Sequence, residues 1–201
     1  PQVMIPVAKK AISRLLSLSQ NARELAQWCE KYPDKFYRHE LCPKVDEKSK
    51  LTVIQVCHAL GYPLHDHKSC VLKIKKTSLD GGKSFLNPND YNYSLSELWV
   101  MIISGFSKDY PWYDEEKSIR FSNALCLLNP RQFTLSQMID IYSFHKPTKG
   151  FFFNDIQNKK RHEHGFKNIF ARHGYYDSEG QPLLIRSHQP RHLLNTIAHY
   201  G

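Results

Sequence analysis

The chain has 201 residues and a formal net charge of +9, from 28 Lys and Arg against 19 Asp and Glu, with 11 histidines in addition. That length and its apolar content suffice for one large domain or two small ones, without disulfides or metals as staples, and no apolar run approaches the roughly 18 residues of a membrane span. The basic balance favours an anionic partner, nucleic acid first among them. Cys29, Cys42, Cys57, Cys70 and Cys126 are odd in number and form no CxxC pair, a pattern that suits a reducing cytoplasm.

In chain order, QVMIPV reads as a short strand, and Val7, Ala11, Ile12, Leu15, Leu16 and Leu18 then recur at helical spacing. A second helix around Ala22 to Cys29 places Leu25, Trp28 and Cys29 on one side and ends at Tyr32-Pro33. Leu51 to Leu60 forms a short helix closed by Gly61. CVLKIKKTSLDGGKSF alternates like a strand and turns at Asp80-Gly81-Gly82. Ser94 caps a helix through Leu98, Trp99, Ile102 and Ile103, with Glu97 at the capping-box position. Thr134 starts another helix through Met138 and Ile139.

From Lys149 the composition shifts to a basic, histidine-rich helix, then the turn DSEGQP, a strand LLIR and a final helix. The expected fold class is mainly α with small β elements (α+β). Residues 1–148 form its first part and residues 149–201 the basic second part, within one continuous domain. Phe151, Phe152 and Phe153 read as core, and DGGKS at 80–84 as a tight turn rather than a phosphate loop.

The final helix carries the chemistry. Ser187 stands at its N-cap, Pro190 falls within the first turn, and His188 and Arg191, three apart, project from nearly the same face. A helix start that presents an imidazole and a guanidinium beside free backbone amides suits a phosphate. The same residues also fit an exposed cap pair, and His162, His164, His188 and His192 offer imidazoles to a metal. Phosphate-facing histidines account for them without an ion, so no metal and no cofactor is expected.

HQPRHLLNTIA resembles the second conserved box of the tyrosine recombinases, the phage-integrase family, whose pattern is H-x-x-R followed by His and a helix. The approach FARHGY, DSEGQP, LLIRS is similar to that of large bacterial integrases. QVMIPVAKKAISRL looks like the last strand and next helix of the family's small sheet, and SQNARELAQWCEKYP and SIRFSNALCLLN resemble its elaborated middle section. The likeness is dense over residues 166–201 and thin elsewhere.

The resemblance implies a partial tyrosine-recombinase catalytic domain that cuts and rejoins DNA through a 3′-phosphotyrosyl link, without a metal. It makes Arg191 the second catalytic arginine and His188 the general acid or base, with His192 in support. Lys159, Lys160, Arg161, Lys167, Arg172 and Arg186 become contacts to the DNA backbone. The implied partners are double-stranded DNA and other recombinase protomers, with no membrane, in the bacterial cytoplasm and nucleoid.

Departures are Pro190 for the usual leucine, and Leu193 and Asn195 for threonine and alanine. The first-box arginine has no match, since Arg23-Glu24-Leu25 has the wrong spacing, and Lys83 is a distant stand-in for the lysine. By the family's order, the lysine is expected ahead of Pro1 and the nucleophile after Gly201, Tyr200 being too close to Arg191 on the same helix. The fragment by itself is expected to be inactive. The alternatives are a noncatalytic DNA-binding protein on a decayed integrase scaffold and, more remotely, a metal-dependent nuclease.

Overall fold

The computed structural model describes residues 5–77, 79, 86, 93–134, 137–148, 150–151, 156, 167–186, 188–189 and 192. The described elements are mainly helical: α1 Ile5–Leu18, α2 Gln20–Lys31, α3 Val53–Ala59, α4 His67–Lys75, α5 Leu95–Ser104 and the single turn α6 Ile169–Arg172. The chain divides into two compact units, one of residues 14–146 and one of residues 1–13 with 147–201.

The core of the 14–146 unit is built from capped helices. Thr52 accepts the Gln55 N–H while the Gln55 side chain accepts the Thr52 N–H, so two of the open amides of the α3 start are satisfied. Ser94 and Glu97 form the same box on α5. At the far end of α3, the Tyr62 N–H returns to the Cys57 carbonyl and the Gly61 N–H to that of His58, both at 2.9 Å. That double closure requires a left-handed residue, and Gly61 supplies it at φ 81°.

The apolar faces of these helices meet in one cluster that includes Leu25, Phe36, Val56, Cys70, Ile74, Leu98, Trp99 and Ile102. Trp99 donates its indole N–H to the Pro33 carbonyl at 2.7 Å, so α5 holds the loop that follows α2. A second cluster packs Ala22 and Ala26 of α2 against Phe121, Ala124 and Leu127, beside the 3-10 turn Phe121–Asn123. Small residues on α2 permit that close approach. All five cysteines are free thiols, and burial pushes Cys29 up to about 12, which keeps it protonated and apolar in character.

Four expectations change. Ile5, Pro6 and Val7 are helical rather than extended, because proline in a first turn lacks only an amide that would be unpaired there, and its fixed φ suits a helix. CVLKIK belongs to α4: Asp66 accepts the Ser69 N–H at 2.8 Å, and Cys70 and Ile74, four apart, are buried together while Leu72 is half exposed. The period-two pattern and the helical one share Cys70 and Ile74, and the Asp66 cap decides between them.

No helix follows Thr134 among the described residues of 134–140. The Thr134 N–H donates to Arg131 and the Asp140 N–H to Pro130, folding this segment back as a loop whose Met138 and Ile139 stay exposed. Met138 and Ile139, the apolar residues of the expected helix among those described, are exposed, so their spacing has nothing to pack on. LLIR is likewise no strand. The ladder there is one bridge, Tyr176 with Pro182, and it goes no further because the Tyr175 N–H is taken by the Phe170 carbonyl and the Leu183 carbonyl by the Asn168 side chain, the two groups that would extend it. Only isolated bridges represent the expected β elements among the described residues.

Candidate functional site

The unit of residues 1–13 and 147–201 contains the expected site. It carries ten Lys and Arg against four Asp and Glu, whereas the larger 14–146 unit has eighteen against fifteen, so two thirds of the net charge belongs to the smaller unit. Six of the 11 histidines are there too.

Its framework starts at Asn168, which is 0% exposed. The Asn168 carboxamide oxygen accepts the Ala171 N–H at 2.8 Å, capping α6, and its Nδ2 donates to the Leu183 carbonyl at 2.9 Å. A single side chain therefore ties the short helix to the segment leading into the H-x-x-R box. The chain leaves α6 through Gly174 at φ 75°, with the Tyr175 N–H on the Phe170 carbonyl at 2.9 Å. It reverses at Asp177–Gly180, where the Asp177 carboxylate accepts the N–H groups of Glu179 and Gln181. The Leu183 N–H then meets the Tyr175 carbonyl at 3.2 Å, bringing the returning segment alongside.

Three residues on, a new helix begins. The Gln189 side chain accepts the Arg186 N–H at 2.6 Å while the Gln189 N–H donates to the Arg186 carbonyl at 3.0 Å. Gln189 thus supplies the back-reaching half of a capping box. His188, Gln189 and His192 are helical, and both imidazoles are exposed. Their rings meet edge to face with centroids 5.9 Å apart, as residues four apart on one helical face do. Ser187, Pro190 and Arg191 lie outside the described residues.

Among the expected backbone contacts, Lys167, Arg172 and Arg186 are exposed. The Arg172 guanidinium donates to the Lys167 carbonyl at 2.9 Å, which brings these two cationic residues together at the start of α6. Lys159, Lys160 and Arg161 lie outside the described residues, as do His162, His164, Lys83 and Tyr200. Phe151 is 38% exposed, and Phe152 and Phe153 lie outside the described residues. Among the described residues no three His, Cys, Asp or Glu side chains group as a metal site, and no helix is long and apolar enough to cross a membrane.

Sequence reasoning missed Asn168 and Gln189. Both had a local signal: an asparagine directly before IFAR, and a glutamine three residues after Arg186. Comparison of the chain with protein-family models, curated proteins and solved structures found no match.

Proposed function

We propose that this chain is part of a site-specific DNA recombinase of the tyrosine type, to which it contributes the H-x-x-R box. One observation carries the reading: His188 stands exposed at a buttressed helix start, inside the unit that holds most of the net positive charge. A duplex phosphate is attracted by that charge and by the positive end of the helix dipole. Arg191 grips two phosphoryl oxygens as negative charge builds up during attack by a tyrosine oxygen. His188 serves as the proton-transfer group, and His192, on the same helical face, supports its orientation. Lys159, Lys160, Arg161, Lys167, Arg172 and Arg186 engage the sugar-phosphate backbone and set register rather than base preference.

The test uses the full-length protein and a nicked duplex that traps the covalent intermediate. Wild type forms a denaturant-resistant protein–DNA adduct. Arg191→Ala forms none, yet still retards the duplex in a gel, because the arginine acts on transition-state charge more than on affinity. An adduct of normal yield from Arg191→Ala overturns the assignment. Duplex binding without an adduct from wild type selects the noncatalytic alternative.

A further inference from the structure

Within the 14–146 unit, the α4 end and the 130–143 loop enclose a cavity of about 240 Å³ lined by Lys73, Lys76, Arg131, Thr77, Tyr62 and Asp140, among others. Three cations face one carboxylate. Arg131 reaches Asp140 at 3.7 Å, which leaves the two lysines without a second acidic side chain in the lining. The Lys73 ammonium stands 4.2 Å from the centroid of the Tyr62 ring. Partial burial of that ammonium, with the Arg131 charge as the next cause, holds its pKa below the usual lysine value. An unsatisfied cationic cavity of this kind gains from an anion.

Arg131 is placed there at a cost. It occupies the third position of the turn Asn129–Gln132 with φ 65°, where glycine or asparagine is ordinarily found. A left-handed arginine costs about 1–2 kcal/mol, and strain of that kind gathers at ligand sites.

A second cavity, of about 380 Å³, shares Leu79, Ile102, Asp140 and Ser143 with the first and is walled by Phe106, Phe121 and Phe144. Phe144 meets Phe106 at 4.9 Å with the two ring planes tilted by 51°, and behind the wall it stacks parallel to Tyr110 at 5.8 Å, which holds its ring in place. The two cavities together present a cationic compartment beside an aromatic one.

We propose that this double cavity binds a nucleotide, the phosphate among Lys73, Lys76 and Arg131 and the base along the Phe106–Phe144 wall. The nucleotide is either free or part of a single strand; both present the same phosphate-plus-ring chemistry. The site is independent of the H-x-x-R box and stands or falls without it.

Titration calorimetry on the purified protein distinguishes the sources, with AMP in one arm and a single-stranded oligonucleotide in the other. Binding is expected in at least one arm, with competition by inorganic phosphate. Arg131→Gln and Lys76→Gln should each weaken it about tenfold or more, the loss of a charge-assisted contact. Lys44→Gln, an exposed cation outside both cavities, should leave it unchanged. AMP binding lost in the variants identifies a free-nucleotide site, and binding confined to the oligonucleotide identifies a strand site. No binding of either by wild type, or equal binding by folded Lys76→Gln, overturns the proposal. Lys76 is exposed, so its variant keeps the test available if Arg131→Gln does not fold.

Discussion

Asn168 and Leu183, fifteen residues apart, are joined by one side-chain hydrogen bond of 2.9 Å. The same carboxamide caps α6, so helix position and the approach to the H-x-x-R box share a single buried group. Asn168→Ala removes both bonds and leaves the Leu183 carbonyl without that donor. It should destabilise this unit by about 1–3 kcal/mol. Asn168→Asp keeps the acceptor and loses the donor. Amide exchange separates the two: Ala171 loses protection in Asn168→Ala and keeps most of it in Asn168→Asp. Equal protection of Ala171 in wild type and Asn168→Ala would show that the cap has no energetic role.

His39 provides a pH dependence. Its Nε2 lies 3.1 Å from the Ala59 carbonyl and its Nδ1 accepts the Leu41 N–H at 3.3 Å, an arrangement that the neutral ring satisfies with a proton on Nε2. Burial is the main cause that lowers its pKa, ahead of the opposing pull of the Ala59 carbonyl and the Glu40 charge. Between this lowered value and the usual value of about 6.5, the unfolded chain takes up a proton that the folded chain refuses. Stability is therefore undiminished above the usual value and falls as pH drops through the window. Urea midpoints measured from about pH 7.5 down to about pH 5 should decline more steeply for wild type than for His39→Gln. Parallel declines would remove His39 from the account.

Gly61→Ala should lower stability by about 1–2 kcal/mol, the cost of a left-handed position for a residue with a Cβ. The added Cβ would also stand 2.7 Å from the Ile141 Cδ1 atom. That atom is the end of a flexible side chain and can shift, so backbone strain dominates. Urea denaturation of Gly61→Ala in an Ile141→Val background, where the δ-methyl is gone, should show most of the loss retained. Full recovery there would mean that the clash, and not φ, is what glycine avoids.

These cases also show what was legible in the sequence. Helices α2, α3 and α5 were, because each had a start or stop signal in agreement with its apolar spacing: Tyr32-Pro33, Gly61, and Ser94 with Glu97. The α4 segment misled because Cys70 and Ile74 satisfy both periods, and Asp66 as a cap lay outside the alternating run. The stretch after Thr134 had helical spacing, but its described apolar residues Met138 and Ile139 are exposed, a tertiary property that no local pattern records. At the candidate site the residue types and their spacing were legible, as was the turn at Gly180. The Asn168 bond to Leu183 was not, since it depends on the chain reversing between them. The double cavity draws Lys73 and Arg131 together from segments nearly sixty residues apart, and no motif announces it.

His188 and Gln189 are neighbours with separable roles. His188 presents an exposed imidazole, while Gln189 holds the backbone of Arg186 through its 2.6 Å bond and so fixes where the helix begins. If the chain is part of a recombinase as proposed, His188→Ala in the full-length protein should slow covalent adduct formation by about 10²- to 10⁴-fold, the usual share of a proton-transfer group. Gln189→Ala acts through position. A lost half of a capping box is worth about 1 kcal/mol, so the rate should fall only several-fold, and Gln189→Glu, which retains an acceptor for the Arg186 N–H, should restore it. Single-turnover rates on the nicked duplex distinguish these outcomes. An unchanged rate in His188→Ala would return that residue to the role of an exposed helix-start side chain.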